Sequence, residues 1–518
     1  MKRASLFLPV ILLWSLVCIA ESPAVIETDE TWTAEGSPYL IDRDLTIAQG
    51  ATLTIEPGVT VNFYEGCSLF IKGQLVAIGT TEKQILFTGV ETEGEHQRWG
   101  SIVFEDSSLD AEYTNLDEYS KGSIVSQCVI EYASRALQVH SSSPFIQDSV
   151  FRYNYFSYTD DTAGGAAILI TQKSSPRVTG CQFIENIASG LAQGGAIYIE
   201  SSDPIIHDNI FKSNTSFYGG AISANSMSSP LVGNFFEENF AYLEGGAISL
   251  VSTISAILNN RIKKNSSYFD GGGVHVCVDC FPHANPFFWD NTIVNNTNLF
   301  SGAAGIGAAF IRYFSYNNIH GNLRSDEPAD FGWFNESSET YPSWVVNPTI
   351  PHNWWGTTDA TLIDETIFDG HDEPGYGLVT YQPVLSAQHP DCKPRITITT
   401  QKIRFTSEYD TMPVFVTIYN PGPGQEIELA IILQYGENQR IFYDQELDFP
   451  GAERKNDLYH LALPENSVWF STLLTSLYEP MTGVDHGYWH AALFEVNTGT
   501  RIGDVCSIRF EFGSGGTP

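Results

Sequence analysis

Arg261-Ile262-Lys263 and a scatter of acids ahead of glycine pairs are the first places in this 518-residue chain where chemistry could reside. Cleavage of acidic polysaccharides calls for such groups. Inverting hydrolysis uses two carboxyls roughly 6.5 to 9.5 Å apart, and β-elimination uses Ca²⁺ on two or three carboxylates with a base near the sugar carbon. No Gly-His-Gly accompanies the Arg-x-Lys pair, and Arg261 and Lys263 flank an inward Ile262, which makes them solvated charges. Asp160, Asp161, Glu244 and Asp270 stand shortly before Gly-Gly corners and are the candidate Ca²⁺ ligands, with ordinary loop acids as the plainer reading. His275 lies on the outward side of its strand with Glu200 and Asn225, and reads as a surface residue. No catalytic set is complete, and no cofactor is called for beyond that Ca²⁺.

A binding signal is better formed. Loops just ahead of the glycine elements carry Tyr155, Phe156 and Tyr158; Phe217 and Tyr218; Phe240 and Tyr242; Tyr268 and Phe269; and Phe300. Stacked on adjacent turns of chain about 4.8 Å apart, these rings form a strip able to lie against pyranose faces of an extended glycan. The alternative is that each ring folds its corner down onto the core.

The elements that would position these residues follow from a repeat. The pattern (Asn/Cys/Ser)-x-(Phe/Ile)-x-x-(usually Asn) begins at Cys128, Ser149, Cys181, Asn209, Asn234, Asn260, Asn291 and Asn317. Three positions before each stands an apolar residue: Val125, Ile146, Val178, Ile206, Leu231, Ile257, Phe288 and Phe314. Between units come GGAA at Gly164, GGAI at Gly194, Gly219 and Gly245, and GGGV at Gly271, each opening an alternating strand. A unit of about 25 residues with short strands and no helix cannot bury its own apolar face, so units must stack. The expectation is an all-β chain built as a right-handed parallel β-helix. Cys181, Asn209, Asn234, Asn260, Asn291 and Asn317 form its buried ladder, since an interior amide is tolerated when coils above and below bond it.

The paired GGAI and F-x-x-N motifs, here FRYN, FIEN, FKSN and FEEN, resemble the repeats of chlamydial polymorphic outer membrane proteins and, more broadly, secreted bacterial right-handed β-helix proteins. Leu45 to Phe63, Gly73 to Thr80 and Arg98 to Glu105 resemble first coils of such proteins, and His352 to Asp359 resembles a last one. The resemblance implies an exported surface protein. Autotransported members end in a membrane barrel, which the residues after Pro394 are too few to build.

Lys2 and Arg3 before an apolar run ending at Ala20 read as a signal peptide over residues 1–20, so the protein is expected outside the cell, at its surface or in the periplasm. Val17 ahead of Cys18 argues against a lipid anchor. Residues 21–390 are assigned to the β-helix, with Ile26 to Ile47 as an amino-terminal cap and Leu323 to Pro390, which lacks the Asn repeat, as an irregular end. Residues 395–513 carry longer alternating runs and read as a β-sandwich of immunoglobulin or fibronectin-like type, with a tail over 514–518. Cys392 and Cys506 bracket that domain as a candidate disulfide. Cys277 and Cys280 suit a local disulfide or packed thiols better than zinc. A net charge of −35 makes nucleic acid a poor partner, and no run beyond the leader is long enough to span a membrane. The reading is a non-catalytic adhesin or glycan binder. The alternatives are a polysaccharide lyase or hydrolase, and a rigid spacer presenting the carboxy-terminal sandwich.

Overall fold

The computed structural model describes residues 24–114, 118–157, 164–277, 286–309, 311–333, 347–373 and 376–389, together with the strands between Arg395 and Phe512 and residues 496, 498 and 500. From Ala24 to His389 the described residues wind as a parallel β-helix whose coils contribute strands to a set of parallel sheets. One representative coil runs Ile197–Glu200, Ile205–His207, Ile210–Lys212 and Thr215–Tyr218 before the next glycine pair. These strands belong respectively to a first sheet of 13 strands, a second and a third of 11 each, and an edge sheet of 8. Helix is confined, among the described residues, to a turn at Ala34–Gly36 and the short Ala360–Asp364.

Stacking converts the repeat into columns. In the first sheet Ile168, Ile197, Ile222, Ile248, Val274 and Ile306 pair in sequence. In the second, Val178, Ile206, Leu231, Ile257, Phe288 and Phe314 do so. In the third, the rings of Phe151, Phe183, Phe211 and Phe236 lie nearly parallel with centroids 5.0, 4.7 and 4.8 Å apart. All these side chains are buried. Such continuous apolar columns are what parallel strands covered by their neighbours require.

Two asparagine columns turn the corners. Between the second and third sheets, side-chain amides donate from Asn209 to Asn234 (3.0 Å), Asn234 to Asn260 (3.1 Å), Asn260 to Asn291 (3.1 Å), Asn291 to Asn317 (2.9 Å) and Asn317 to Asn353 (3.1 Å). Cys181 joins through its backbone N–H, which donates to Asn209 Oδ1 at 2.9 Å. Burial pushes the Cys181 thiol up to about 12, so it serves as filler. The second column, between third and edge sheets, runs from Asn154 through Asn186, Asn214, Asn239, Asn265 and Asn296 to Asn322 with links of 2.9 to 3.0 Å. The residue before many column members holds a left-handed backbone, such as Asp208 at φ +56° and Lys264 at φ +55°, and that bend aims the following amide inward.

The glycine pairs divide two tasks. Gly219 holds φ at +63°, a region side chains avoid. In the next pair it is space that matters: a Cβ on Gly246 would lie 2.0 Å from the Gly272 carbonyl oxygen and 2.6 Å from that of Ser266. That close approach seats the first sheet against the edge sheet.

Asp330 closes the second column: its Oδ1 accepts from Asn322 N at 2.9 Å and Nδ2 at 2.7 Å. Burial pushes its carboxyl up from 3.8 to about 6. A raised folded-state value means that the fold favours the protonated acid, so the stabilisation is full below the unfolded value and is lost as pH rises through the folded one. Asp330→Asn keeps the acceptor without the charge. It is expected to unfold at higher urea than the wild type at about pH 8 and at equal urea at about pH 4; an equal gap at both pH values would refute this.

The two ends continue the stack to different extents. Ala24–Ile26, Glu30–Trp32 and Tyr39–Ile41 are the outermost strands of the first, second and third sheets and pair in parallel with the following coil. Beyond Leu323 the second and third sheets have ended, while Asn353 extends the first column, and Phe331–Trp333 and Ile367–Phe368 extend the first sheet.

From Arg395 onward the described strands form two sheets whose pairings are antiparallel apart from Arg404–Phe405, which runs parallel to Arg501–Phe512. One holds Arg395–Thr400, Met412–Asn420 and Ser467–Thr475; the other is centred on Gln425–Tyr435 and His486–Glu495. Tyr419, Val468 and Phe470 pack onto Ile205, Val232, Ala256, Leu258 and Trp289 of the second sheet's outer face. Asn259 Nδ2 also donates to Tyr419 Oη at 2.6 Å. The signal for this docking was the run of apolar residues at outward positions.

Candidate functional site: the ring-lined edge

The edge sheet brings the loop aromatics of successive coils side by side. Thr215 pairs with Phe240, Phe240 with Ser266, and Ser266 with Thr297, so the residues that follow each strand stack along one margin. Phe240 meets Tyr242 at 5.0 Å and Tyr268 at 5.3 Å; Tyr268 meets Phe300 at 5.5 Å, and Phe300 meets Phe269 at 5.7 Å. These rings meet edge-on or tilted, an arrangement that leaves faces open. Tyr242 is 47% exposed, Phe269 39% and Phe300 65%. Tyr268 is half-buried, as are Phe217 and Tyr218, which touch each other at 5.1 Å one coil away. Leu299, also exposed, extends the patch.

Tyr155 belongs to the same margin but is committed elsewhere: Arg98 lies over its ring at 5.0 Å and Ser189 Oγ donates to its hydroxyl at 2.9 Å. Phe156 folds down, covering the Arg135 guanidinium at 4.0 Å. Burial pulls Arg135 down to about 10, and its Nε and Nη2 have no hydrogen-bond partner. The aromatic face takes the place of a counter-ion there. Tyr158, Asp160, Asp161, Cys280 and Cys392 lie outside the described residues, as do residues 1–20 and 514–518 and the side chain of Cys506.

Just beneath the exposed rings a polar cluster assembles from Glu244, Asp270 and His275. His275 Nε2 lies 3.4 Å from Glu244 Oε2 and 3.9 Å from Asp270 Oδ2. His275 is therefore not the surface residue its alternation implies. It faces outward, yet it is only 4% exposed because the loops ending at Glu244 and Asp270 fold over that face. Burial pulls its imidazole down to about 4, so it is neutral near pH 7. Asp270 is not an ordinary loop acid either. Burial, helped by the Glu244 charge, pushes it up to about 8. Its Oδ1 accepts from Ala303 N at 2.9 Å, whereas its Oδ2 has no partner.

The remaining candidates separate cleanly. Ile262 is buried and Arg261 exposed, and Lys263 Nζ sits 3.2 Å from Glu237, so the Arg-x-Lys pair carries solvated charge. Cys277 is disulfide-bonded. A cavity of about 450 Å³ near the end of the helix is lined by Asp364, Glu365, Asp369, His371, Asp372 and Tyr381. Its carboxylates bond the surrounding chain: Asp369 accepts from His371 N and Val379 N, and Asp364 from Tyr381 Oη. Among the described residues no three His, Cys, Asp or Glu side chains are grouped to hold a metal ion.

Residues 98–255 match the family described as right handed beta helix region. This is the stretch where the asparagine columns begin and the glycine pairs recur. Protein bark beetle of Drosophila melanogaster is 43% identical over 54 residues, covering 10% of this chain and 2% of that protein. A mutant tailspike protein of E. coli bacteriophage HK620, solved in complex with a pentasaccharide, aligns over 84% of this chain and 86% of its own at 10% identity and a TM-score of 0.19. The enzymatically active domain of bacteriophage CBA120 tailspike protein 4 aligns over 90% of this chain at 9% identity and a TM-score of 0.15; this chain spans 62% of it. Overlap at these scores carries no information about ligands.

Proposed function

We propose that this is a secreted or surface protein that binds an extended polysaccharide along the edge formed by Phe217, Tyr218, Tyr242, Tyr268, Phe269 and Phe300, for adhesion and without cleaving it. The observation that carries the reading is exposure: Tyr242, Phe269 and Phe300 stay open to solvent on consecutive coils while the stacked rings of the core are fully buried. Exposed rings joined into one patch mark a contact surface. Rungs about 4.8 Å apart offer a regular series of apolar faces to sugar rings. Among the described residues no helix is long and apolar enough to cross a membrane. Tyr419, Val468 and Phe470 of the carboxy-terminal sheets, read as an immunoglobulin or fibronectin-like sandwich, dock on the outer face of the second sheet, away from these rings.

A second reading, polysaccharide cleavage, draws on the convergence of Glu244, His275 and Asp270 from adjacent coils. The burial of Asp270 Oδ2 and His275 Nδ1, both shut off from solvent, supports binding over cleavage.

On an array of extended polysaccharides, replacing Tyr218, Tyr242 and Phe269 together by alanine is expected to weaken binding roughly 10- to 2,000-fold, at about 0.5–1.5 kcal/mol for each ring. Undiminished binding by the triple variant sinks the proposal. Release of new reducing ends by the wild type would replace it with the second reading.

A further inference from the structure

We propose that the Asp270 carboxyl is a proton-operated latch for the ring-lined edge: protonated, it clamps the loops that carry Phe269 and Phe300; ionised, it frees them. The consequence for ligand binding rests on the glycan-binding reading above, whereas the latch itself does not.

Each exposed ring is tied to this cluster by a short stretch of chain. Tyr242 is two residues from Glu244, Phe269 directly precedes Asp270, and Phe300 is three residues from Ala303, whose N–H donates to Asp270 Oδ1. The carboxyl therefore bridges two successive loops. Its seat is cut to fit, because a Cβ on Gly307 would lie 1.9 Å from Oδ2 and one on Gly302 would lie 2.5 Å from Oδ1. Two bare glycines leave the carboxyl room to lie flat against the next coil.

Among the described residues no Lys or Arg forms an ion pair with Asp270. The titratable groups about it are Glu244 on the preceding edge strand, whose charge disfavours its ionisation, and His275 on its own coil's first-sheet strand; Tyr268 stands two residues before it in the chain, Tyr218 lies near Glu244, and the loop from Thr297 to Ala303 brings no ionisable side chain. Burial disfavours a charge on the imidazole. Ionisation would thus place a carboxylate next to Glu244 with only N–H groups for support. The group's raised value near 8 puts that event just above neutrality. The orphaned Oδ2 and His275 Nδ1 fit a site held in one of two states, since buried polar atoms without partners call for an explanation.

The test uses the full chain labelled with fluorophenylalanine, with the Phe300 resonance assigned by its loss in Phe300→Leu. Between about pH 7 and pH 9 that ¹⁹F signal is expected to shift as a one-proton transition in the wild type and to stay flat in Asp270→Asn. Glu244→Gln, which keeps Asp270 but removes its neighbour's charge, is expected to move the midpoint down. Polysaccharide affinity should fall about fivefold or more across the same range in the wild type and hold in Asp270→Asn. A flat wild-type signal, or a transition that persists in Asp270→Asn, overturns the latch. If the signal titrates as expected but no polysaccharide binds at any pH, the latch stands and the binding reading fails. Binding with a flat signal gives the reverse.

Discussion

Asn234→Ala is expected to destabilise the β-helix by about 3–5 kcal/mol, because the lost amide serves two coils at once. Asn234 Oδ1 accepts from both the backbone N–H and the side-chain amide of Asn209, at 3.1 and 3.0 Å. Its Nδ2 donates to the Ile206 carbonyl at 3.0 Å and to Asn260 Oδ1 at 3.1 Å. The site is 1% exposed, so no water replaces what is removed, and the Asn209 N–H is left without an acceptor. Asn234→Asp makes the control: shape is kept, but a carboxylate oxygen faces two acceptors. This variant should be the worse of the two near neutral pH and should recover in acid. Urea unfolding followed by hydrogen exchange at the second and third sheets checks both, with exchange separating local opening from loss of the whole stack. A loss under about 1 kcal/mol in both variants would show that the column is decorative.

Phe211→Ala is expected to cost a similar amount, about 3–5 kcal/mol, by a different route. The ring is fully buried between Phe183 at 4.7 Å and Phe236 at 4.8 Å, and strand pairing above and below prevents the coils from closing on the gap. Phe211→Leu refills most of the volume and should recover more than half of the loss. Ile262 holds the same position in the register two coils on, so an aliphatic side chain is compatible with the column. If leucine proves as damaging as alanine, ring stacking rather than volume sets the energy.

Much of this architecture was legible because its strands are short and its columns repeat. Val178, Ile206, Leu231 and Ile257 announce the second sheet, and Asn209, Asn234 and Asn260 announce a polar column, since each type recurs at the same place in every unit. The second column was harder to place. Asn214, Asn239 and Asn265 are equally regular in sequence, but whether such an amide points in or out depends on the left-handed residue before it. The edge sheet was not legible at all: Ser266–Ser267 and Thr297–Asn298 are two-residue strands of polar character with no alternation to read. For the same reason the burial of His275 could not be foreseen. Alternation gives the face of a strand, whereas the loop that folds over that face comes from another coil. The aromatic margin was legible as composition, but only coordinates separate Phe156, spent on Arg135, from Phe300, left in solvent.

The amide-to-amide bonds of both columns all run in one sense, from the Nδ2 of each coil to the Oδ1 of the one that follows it, while each amide's second N–H ties back to a backbone carbonyl of the coil before. An internal rung therefore offers the same acceptors behind and the same donors ahead as either neighbour, whereas the two ends are chemically unlike and cannot be exchanged. Length is consequently a free variable of this molecule. Duplicating one unit between identical joints lengthens the rod by a single step and adds one more foothold to its margin without altering how it begins or stops.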